Sequence, residues 1–533
     1  MHISIKIKDT MILIVFKTRM LKRKKYSARF WILAMMFLIN PLTGQNLPYK
    51  AEWESLKQHQ TPDWFKDAKF GIYCHWGPYS VPEFENEWYA HWMYTNPENP
   101  EYKEGKRFYE HHTKKYGPLN EFGYKDFIPL FTAEKFDAAE WADLFQKSGA
   151  KFAGPVSEHA YGFAMWDSQL TEWDASDMGP KRDIMGELAS EIRKKGMKFI
   201  ATYHRQWLLG WYPTWDTTTD ASNPEFAALY GPKMNKGDFK YPPSTHDIDN
   251  WFEGYYPLAD DAFNQEWLNR LKEIINNYEP DLVWFDNKMD VIGASYRKEF
   301  LSYYYNHAHK NNKEVVATYK FYDFAQGTAV LDVERARMSE MKDFPWLTDD
   351  SIDWKAWSHI SDPDYKSANR IIDFLVDVVS KNGCLLLNIT PRANGEIPEP
   401  VKKRLLDIGD WLNKNGEAIY ATRPWKIYGE GPAKVVEGHL SERENPDNTA
   451  KDIRFTSRGN ILYCIVLDWP QEQLIVSNLK KGNSLYENEI ASIELLGHHK
   501  PLNYMAKKDG LYIDFPEEQV GKHAFVLKIT PKN

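Results

Sequence analysis

Two hydrophobic rhythms alternate along most of this chain: short apolar runs that read as strands, and longer stretches whose apolar positions recur at helical spacing. Trp267, Leu268, Leu271, Ile274, Ile275 and Tyr278 fall on one stripe, which predicts an amphipathic helix that Pro280 ends. The run Leu282-Val283-Trp284-Phe285 then predicts a buried strand stopping on an acid, Asp286. The same order recurs. Ala138, Trp141, Ala142 and Phe145 stripe a helix that leads through Gly149 into a strand at 150–156 and on to Ser157, Glu158 and His159. A helix over 184–194 precedes a strand at 198–202, which opens into Tyr203, His204 and Arg205. Helices over 297–310 and 369–380 lead into strands at 314–320 and 384–389, and a first strand from Phe70 to Cys74 runs into His75, Trp76 and Gly77.

Strands alternating with helices predict a parallel sheet, and the number of units predicts its closure into a (β/α)8-like TIM barrel of the α/β class. In such a barrel the C-terminal strand ends carry the chemistry, so Asp286 reads as a catalytic candidate rather than a solvated loop acid. After about residue 425 the helical stripes stop. Short β-rich runs at 453–456, 461–467, 491–496, 510–513 and 524–529 predict a C-terminal β-sandwich, with 429–450 as a long loop ahead of it. The expected organisation is a leader over 1–45, a barrel over 46–424 and a sandwich over 425–533.

The leader expectation rests on Lys22, Arg23, Lys24, Lys25 and Arg29 ahead of the apolar run Phe30 to Ile39, followed by Thr43, Gly44 and Gln45. That is the order of a secretory signal, with Met20 a candidate start, and its apolar run is too short to span a bilayer. A secreted or periplasmic protein with no membrane attachment after processing is therefore expected. Removing residues 1–44 deletes nine basic residues and one acid, leaving 58 Lys and Arg against 74 Asp and Glu. Such a chain is not built to bind nucleic acid, and any anionic substrate would need a local basic pocket. The three cysteines, Cys74, Cys384 and Cys464, sit inside apolar strands and read as buried free thiols. Aromatic residues make up 15% of the chain, including 21 Trp. Indole faces beside His, Glu and Asp suit sugar rings, although Trp141, Trp267 and Trp411 lie on helical stripes and read as core.

Several motifs, in order, resemble the α-L-fucosidases of glycoside hydrolase family 29. They are Trp64 to Gly71 running into His75-Trp76-Gly77, Glu87-Trp88-Tyr89, Phe131 to Phe136, Gly179 to Asp183, Trp284-Phe285-Asp286, Lys381-Asn382-Gly383 on to Pro391, and Asn415 to Tyr420. Asp452 to Thr456 and Glu494 to Gly497 resemble that family's β-sandwich. The resemblance implies a retaining exo-glycosidase acting on terminal α-L-fucosyl units of fucosylated oligo- or polysaccharides, with no metal or cofactor. It implies Asp286 as nucleophile and Glu334 as acid/base, with Glu340 and Asp332 as alternatives. It also implies a sugar pocket of His75, Glu87, Trp88, His159, Tyr203, His204, Trp284 and Lys320.

Three positions depart from the family pattern. Ala160 stands where a second histidine follows His159, Lys320 replaces an arginine, and His204 replaces a small residue. A related sugar, such as an α-L-galactoside or a sulfated fucoside, therefore stays open, with His204, Arg205 and Lys320 as sources of positive charge; so does a non-catalytic sugar-binding protein. The pair His111-His112 lies in a Lys- and Glu-rich segment and reads as a solvated helical face rather than a metal site. The oligomeric state is not legible.

Overall fold

The computed structural model describes residues 48–95, 103–235 and 258–532; the expected leader lies outside them. Eight parallel strands close a barrel in chain order: β1 (Phe70–Cys74), β2 (Phe152–Glu158), β3 (Lys198–Tyr203), β4 (Leu282–Phe285), β5 (Val316–Lys320), β6 (Val330–Glu334), β7 (Trp346–Ser351) and β8 (Gly383–Ile389). Helices Ala138–Lys147, Ile184–Lys194, Asp261–Tyr278 and Ala368–Ser380 each begin on a carboxylate or hydroxyl that accepts from first-turn N–H groups: Asp137, Asp183, Asp260 and Ser367.

Residue alternation sorts each strand into an inward and an outward row. Tyr73, Ile200, Trp284, Val330, Leu347 and Leu386 belong to the cluster that fills the barrel. Their same-face successors at the C-terminal edge are His75, His204, Asp286, Glu334, Asp349 and Asn388. At Gly154 on β2, an added Cβ would lie 1.8 Å from the Ile200 carbonyl oxygen, so the packing of β2 on β3 admits no side chain there.

Strands β6 and β7 are absent from the sequence expectation for a physical reason. Their inward positions carry Asp332, Glu334 and Asp349, which break the apolar run, and among the described residues no helix separates β5, β6 and β7. The helix-strand alternation therefore lapses there.

The C-terminal part packs a five-stranded sheet, ordered β13-β16-β11-β10-β9, against a three-stranded one, β12-β15-β14. Their ranges are β9 (Arg423–Glu430), β10 (Ile453–Arg458), β11 (Ile461–Val466), β12 (Leu474–Val476), β13 (Ile490–Leu495), β14 (Tyr504–Ala506), β15 (Leu511–Ile513) and β16 (Phe525–Pro531). On β11, Leu462, Cys464 and Val466 face the sandwich core, while Tyr463 and Ile465 join the barrel's core. Strand β9 occupies residues whose end was expected to begin a loop. The three cysteines are buried and unpaired.

Candidate active site

Four carboxyl groups surround one buried ammonium at the β4–β7 edge. Lys320, 1% exposed, lies 2.8 Å from Glu334, 3.1 Å from Asp349, 3.5 Å from Asp286 and 3.8 Å from Asp332. The contacting oxygens of Asp286 and Glu334 are therefore no farther apart than the 3.5 and 2.8 Å contacts laid end to end. Burial pushes the Asp286 carboxyl up to about 6 against the pull of Lys320. Burial also raises Glu334, but Lys320 and then His439 outweigh it and hold this carboxyl at about 2. Below them, Asp349 accepts from the Tyr73 hydroxyl at 2.9 Å and Asp332 from the Trp284 indole at 2.8 Å. Asp332 is thus committed to the barrel interior. Glu340 is exposed, with its charge felt at Tyr428 of β9 rather than at Asp286; of the three acid/base candidates, only Glu334 stands at the mouth beside Asp286.

The β1–β3 edge is made of imidazoles. The rings of His75, His159 and His204 lie 4.6–5.3 Å apart by centroid, and all three are buried. His159 reaches the pocket because the β2–β3 register shifts between Val156 and Glu158, a bulge that turns the following side chain inward. Glu158 consequently points outward and binds Arg205 and Arg270. His75 is oriented by Asn388, whose amide nitrogen donates to Trp357 O and Ser351 Oγ, so that its oxygen must accept from the His75 N–H and Nδ1–H. Burial lowers all three imidazoles, His75 to about 3, so they stand neutral. One ring nitrogen from each lies within 4.8 Å of the other two. A zinc ion on all three would hold its nitrogens about 3.4 Å apart, inside the 4.8 Å within which these lie.

Other expected residues fall into three groups. Trp284 forms the floor under His204, ring centroids 5.1 Å apart, with the Lys320 ammonium over its face. Glu87 accepts from the Trp357 N–H at 2.8 Å beside the pocket, and Trp88 packs on Trp211, whose ring edges His159. Tyr203 is not brought to the pocket: it occupies the outward row and packs on Trp267 of the helical layer and on the outward-facing Phe285 of β4. Arg205 likewise turns outward to Glu158 and Glu266 and lends the pocket no charge. The solvated reading of His111-His112 also fails, because His112 is fully buried between the Tyr89 hydroxyl and the Phe122 carbonyl.

Sequence reasoning passed over Asp349, Asn388, Trp357 and Arg335. Trp357 stands 5.4 Å from His75, and the Arg335 guanidinium lies over its ring at 4.5 Å. The inward parity of Leu386 was the available signal for Asn388. Trp357 comes from an irregular loop that carries no such signal.

A sequence profile described as "Alpha-L-fucosidase" matches residues 36–417, and one described as "Alpha-L-fucosidase C-terminal domain" matches 445–530. The chain belongs to the alpha-L-fucosidase family. Human tissue alpha-L-fucosidase is 30% identical over 494 residues, covering 90% of this chain and 92% of that protein. The human plasma alpha-L-fucosidase is 31% identical, with 87% of this chain and 88% of the relative covered. The crystal structure of Thermotoga maritima alpha-fucosidase in complex with fucose superposes with a TM-score of 0.66 at 28% identity, covering 90% of this chain and all of that one. Within the family fold, the acidic and imidazole edges of this barrel meet at Trp284, beside His204 and under the Lys320 ammonium.

Proposed function

We propose that this protein is a retaining exo-acting α-L-fucosidase, with Asp286 as nucleophile and Glu334 as acid/base. The observation that carries the reading is the Lys320 bridge. Retaining enzymes hold their two carboxyl groups about 5–5.5 Å apart, whereas inverting ones need roughly 6.5–9.5 Å for an intervening water. Two contacts of 3.5 and 2.8 Å on one nitrogen support the shorter class.

In the first step an Asp286 oxygen attacks the anomeric carbon while Glu334 gives its proton to the departing oxygen. In the second, the Glu334 carboxylate takes a proton from water, which attacks the same carbon and releases Asp286. In the empty site Lys320 holds Glu334 ionised, so the acid role requires that bound substrate loosen this ion pair and let Glu334 take up a proton before the bond breaks. The neutral imidazoles of His75, His159 and His204 read ring hydroxyls, and Trp284 and Trp357 supply apolar walls.

A neutral fucosyl residue suits the neutral imidazole edge. The His75, His159 and His204 imidazoles are neutral, Lys320 is enclosed by carboxyls and Arg205 faces away, which leaves Arg335, over Trp357, as the cation beside the pocket. Fucosylated glycan is accordingly the proposed substrate, and the basic and apolar pattern of residues 22–45 supports export to the periplasm or medium. Among the described residues, no helix is long and apolar enough to cross a membrane. The test is hydrolysis of an aryl α-L-fucoside beside the matching α-L-galactoside, followed by NMR of the first-formed sugar. Release of α-L-fucose with preference for the fucoside is expected; β-L-fucose as first product would overturn the retaining assignment.

A further inference from the structure

The imidazole edge of the pocket suits a second kind of occupant besides a sugar hydroxyl. His75, His159 and His204 arrive from three different strands, and one nitrogen of each converges on the others. Three atoms no more than 4.8 Å apart share a centre within about 2.8 Å of each, and zinc bonds imidazole nitrogen at about 2.0–2.1 Å, so rings that close by less than about 1 Å can hold an ion. The ring positions agree. A tetrahedral metal about 3.2 Å from each ring centre sets three histidine centroids about 5.2 Å apart; these stand 4.6, 5.2 and 5.3 Å apart.

The surroundings of the rings point the same way. Nδ1 of His75 is committed to the Asn388 oxygen at 2.9 Å, which fixes the ring and leaves Nε2 with its lone pair, the support that metal-binding histidines share. Nδ1 of His159 is buried with no hydrogen-bond partner, although buried nitrogens ordinarily have one. All three rings stand neutral, the form that metals bind. Across the pocket, Asp286, Asp349 and Glu334 are ionised at neutral pH against the Lys320 ammonium and the Arg335 guanidinium, so the facing charge is net negative. Such a field favours a cation.

We propose that His75, His159 and His204 bind a divalent transition-metal ion, and that this ion and the sugar exclude each other. Imidazole nitrogens favour zinc, nickel and copper over calcium or magnesium. The ion is a competing ligand and takes no part in hydrolysis. Its exclusion of the sugar rests on the reading of these rings as part of the sugar pocket, whereas its coordination does not. His204 supplies the third ligand, without which two imidazoles remain.

Cobalt(II) reports such coordination directly, because its visible absorption is strong in a four-coordinate nitrogen environment and weak in water. Untagged protein titrated with Co2+ near neutral pH should develop a band that saturates at one equivalent, is removed by Zn2+ and is indifferent to Ca2+. His204→Gln and His159→Gln keep the bulk of the rings and should weaken Co2+ binding by at least about 10–100-fold, since losing a ligand costs no less than losing the partner that orients one. Bound L-fucose, detected by saturation-transfer NMR, should remove the band, and Zn2+ should raise KM for an aryl α-L-fucoside with kcat unchanged until a chelator is added. A wild type without the one-equivalent band overturns the proposal. So does an unchanged affinity in both folded variants, or a band that persists while L-fucose is bound. A protein that shows the band yet neither binds L-fucose nor hydrolyses an α-L-fucoside keeps its metal site and defeats the fucosidase reading instead.

Discussion

The two halves of the barrel mouth solve opposite electrostatic problems. Along β1–β3, burial is left uncompensated by charge, and the imidazoles of His75, His159 and His204 respond by staying neutral. Along β4–β7, burial is equally deep, yet one ammonium lets Glu334 stay charged while Asp286 is raised only to about 6. Neutral rings that both donate and accept suit recognition of hydroxyls, whereas paired charges suit bond breaking. The same division shows in the outer layer. Helices sheath β2, β3 and β4, but β5–β7 are joined by irregular segments, and that is where the C-terminal part of the chain gains access to Glu334.

This contrast can be broken most decisively at Asp286. Asp286→Gly should lower kcat by about 10⁴-fold or more while leaving the melting temperature near wild type, because no covalent step survives without the carboxylate. Azide should restore part of the turnover and yield β-L-fucosyl azide. Near-wild-type kcat in the folded variant would move the chemistry elsewhere on the acidic edge.

Glu334→Ala should act according to the leaving group. Disaccharides, which need protonation, should slow by about 10²–10⁴-fold, and a dinitrophenyl fucoside far less. Equal losses on both would point to a positioning role and reopen the acid/base assignment.

On the imidazole side the effect should be smaller and lie in binding. His204→Ala should raise KM for aryl fucosides about tenfold, the worth of one hydrogen bond to a sugar hydroxyl, with kcat changed less. A collapse of kcat with KM unchanged would place this ring in the chemistry and erase the division between the edges.

The last effect concerns stability rather than turnover. His75 is lowered from its ordinary value near 6.5 to about 3, so the unfolded chain binds this proton first. Its contribution to stability is complete above about pH 6.5 and is lost as pH falls toward 3, by about 1.4 kcal/mol per pH unit for each such group. Thermal melts at pH 7 and pH 5 should show the loss. His204→Ala, which removes one of the three groups, should flatten the slope; an unaltered slope would mean that other groups govern it.

Much of this was legible in the chain. Apolar runs and period-3.6 stripes identified β1–β5 and β8 and the helices before β2, β3, β4, β5 and β8, because each of those elements buries an uninterrupted apolar face. Asp286 was legible for the same reason, as the acid that ends such a run. Strands β6 and β7 were hidden because their inward positions are acids, tolerable only beside a cation that arrives from β5 in three dimensions.

What the sequence by itself determined is the alternation, and with it the barrel, the inward row and the residue types at the strand ends. What only the tertiary structure decided is which of those ends face one another. The bulge after Val156 puts His159 into the pocket, and residue parity takes Tyr203 out of it. Lys320 meets four carboxyls from three neighbouring strands, and the segment around His439 reaches Glu334 from more than a hundred residues away. Local pattern encodes which face of an element is buried; charge pairing and loop contact depend on neighbours that are close only after the barrel has closed.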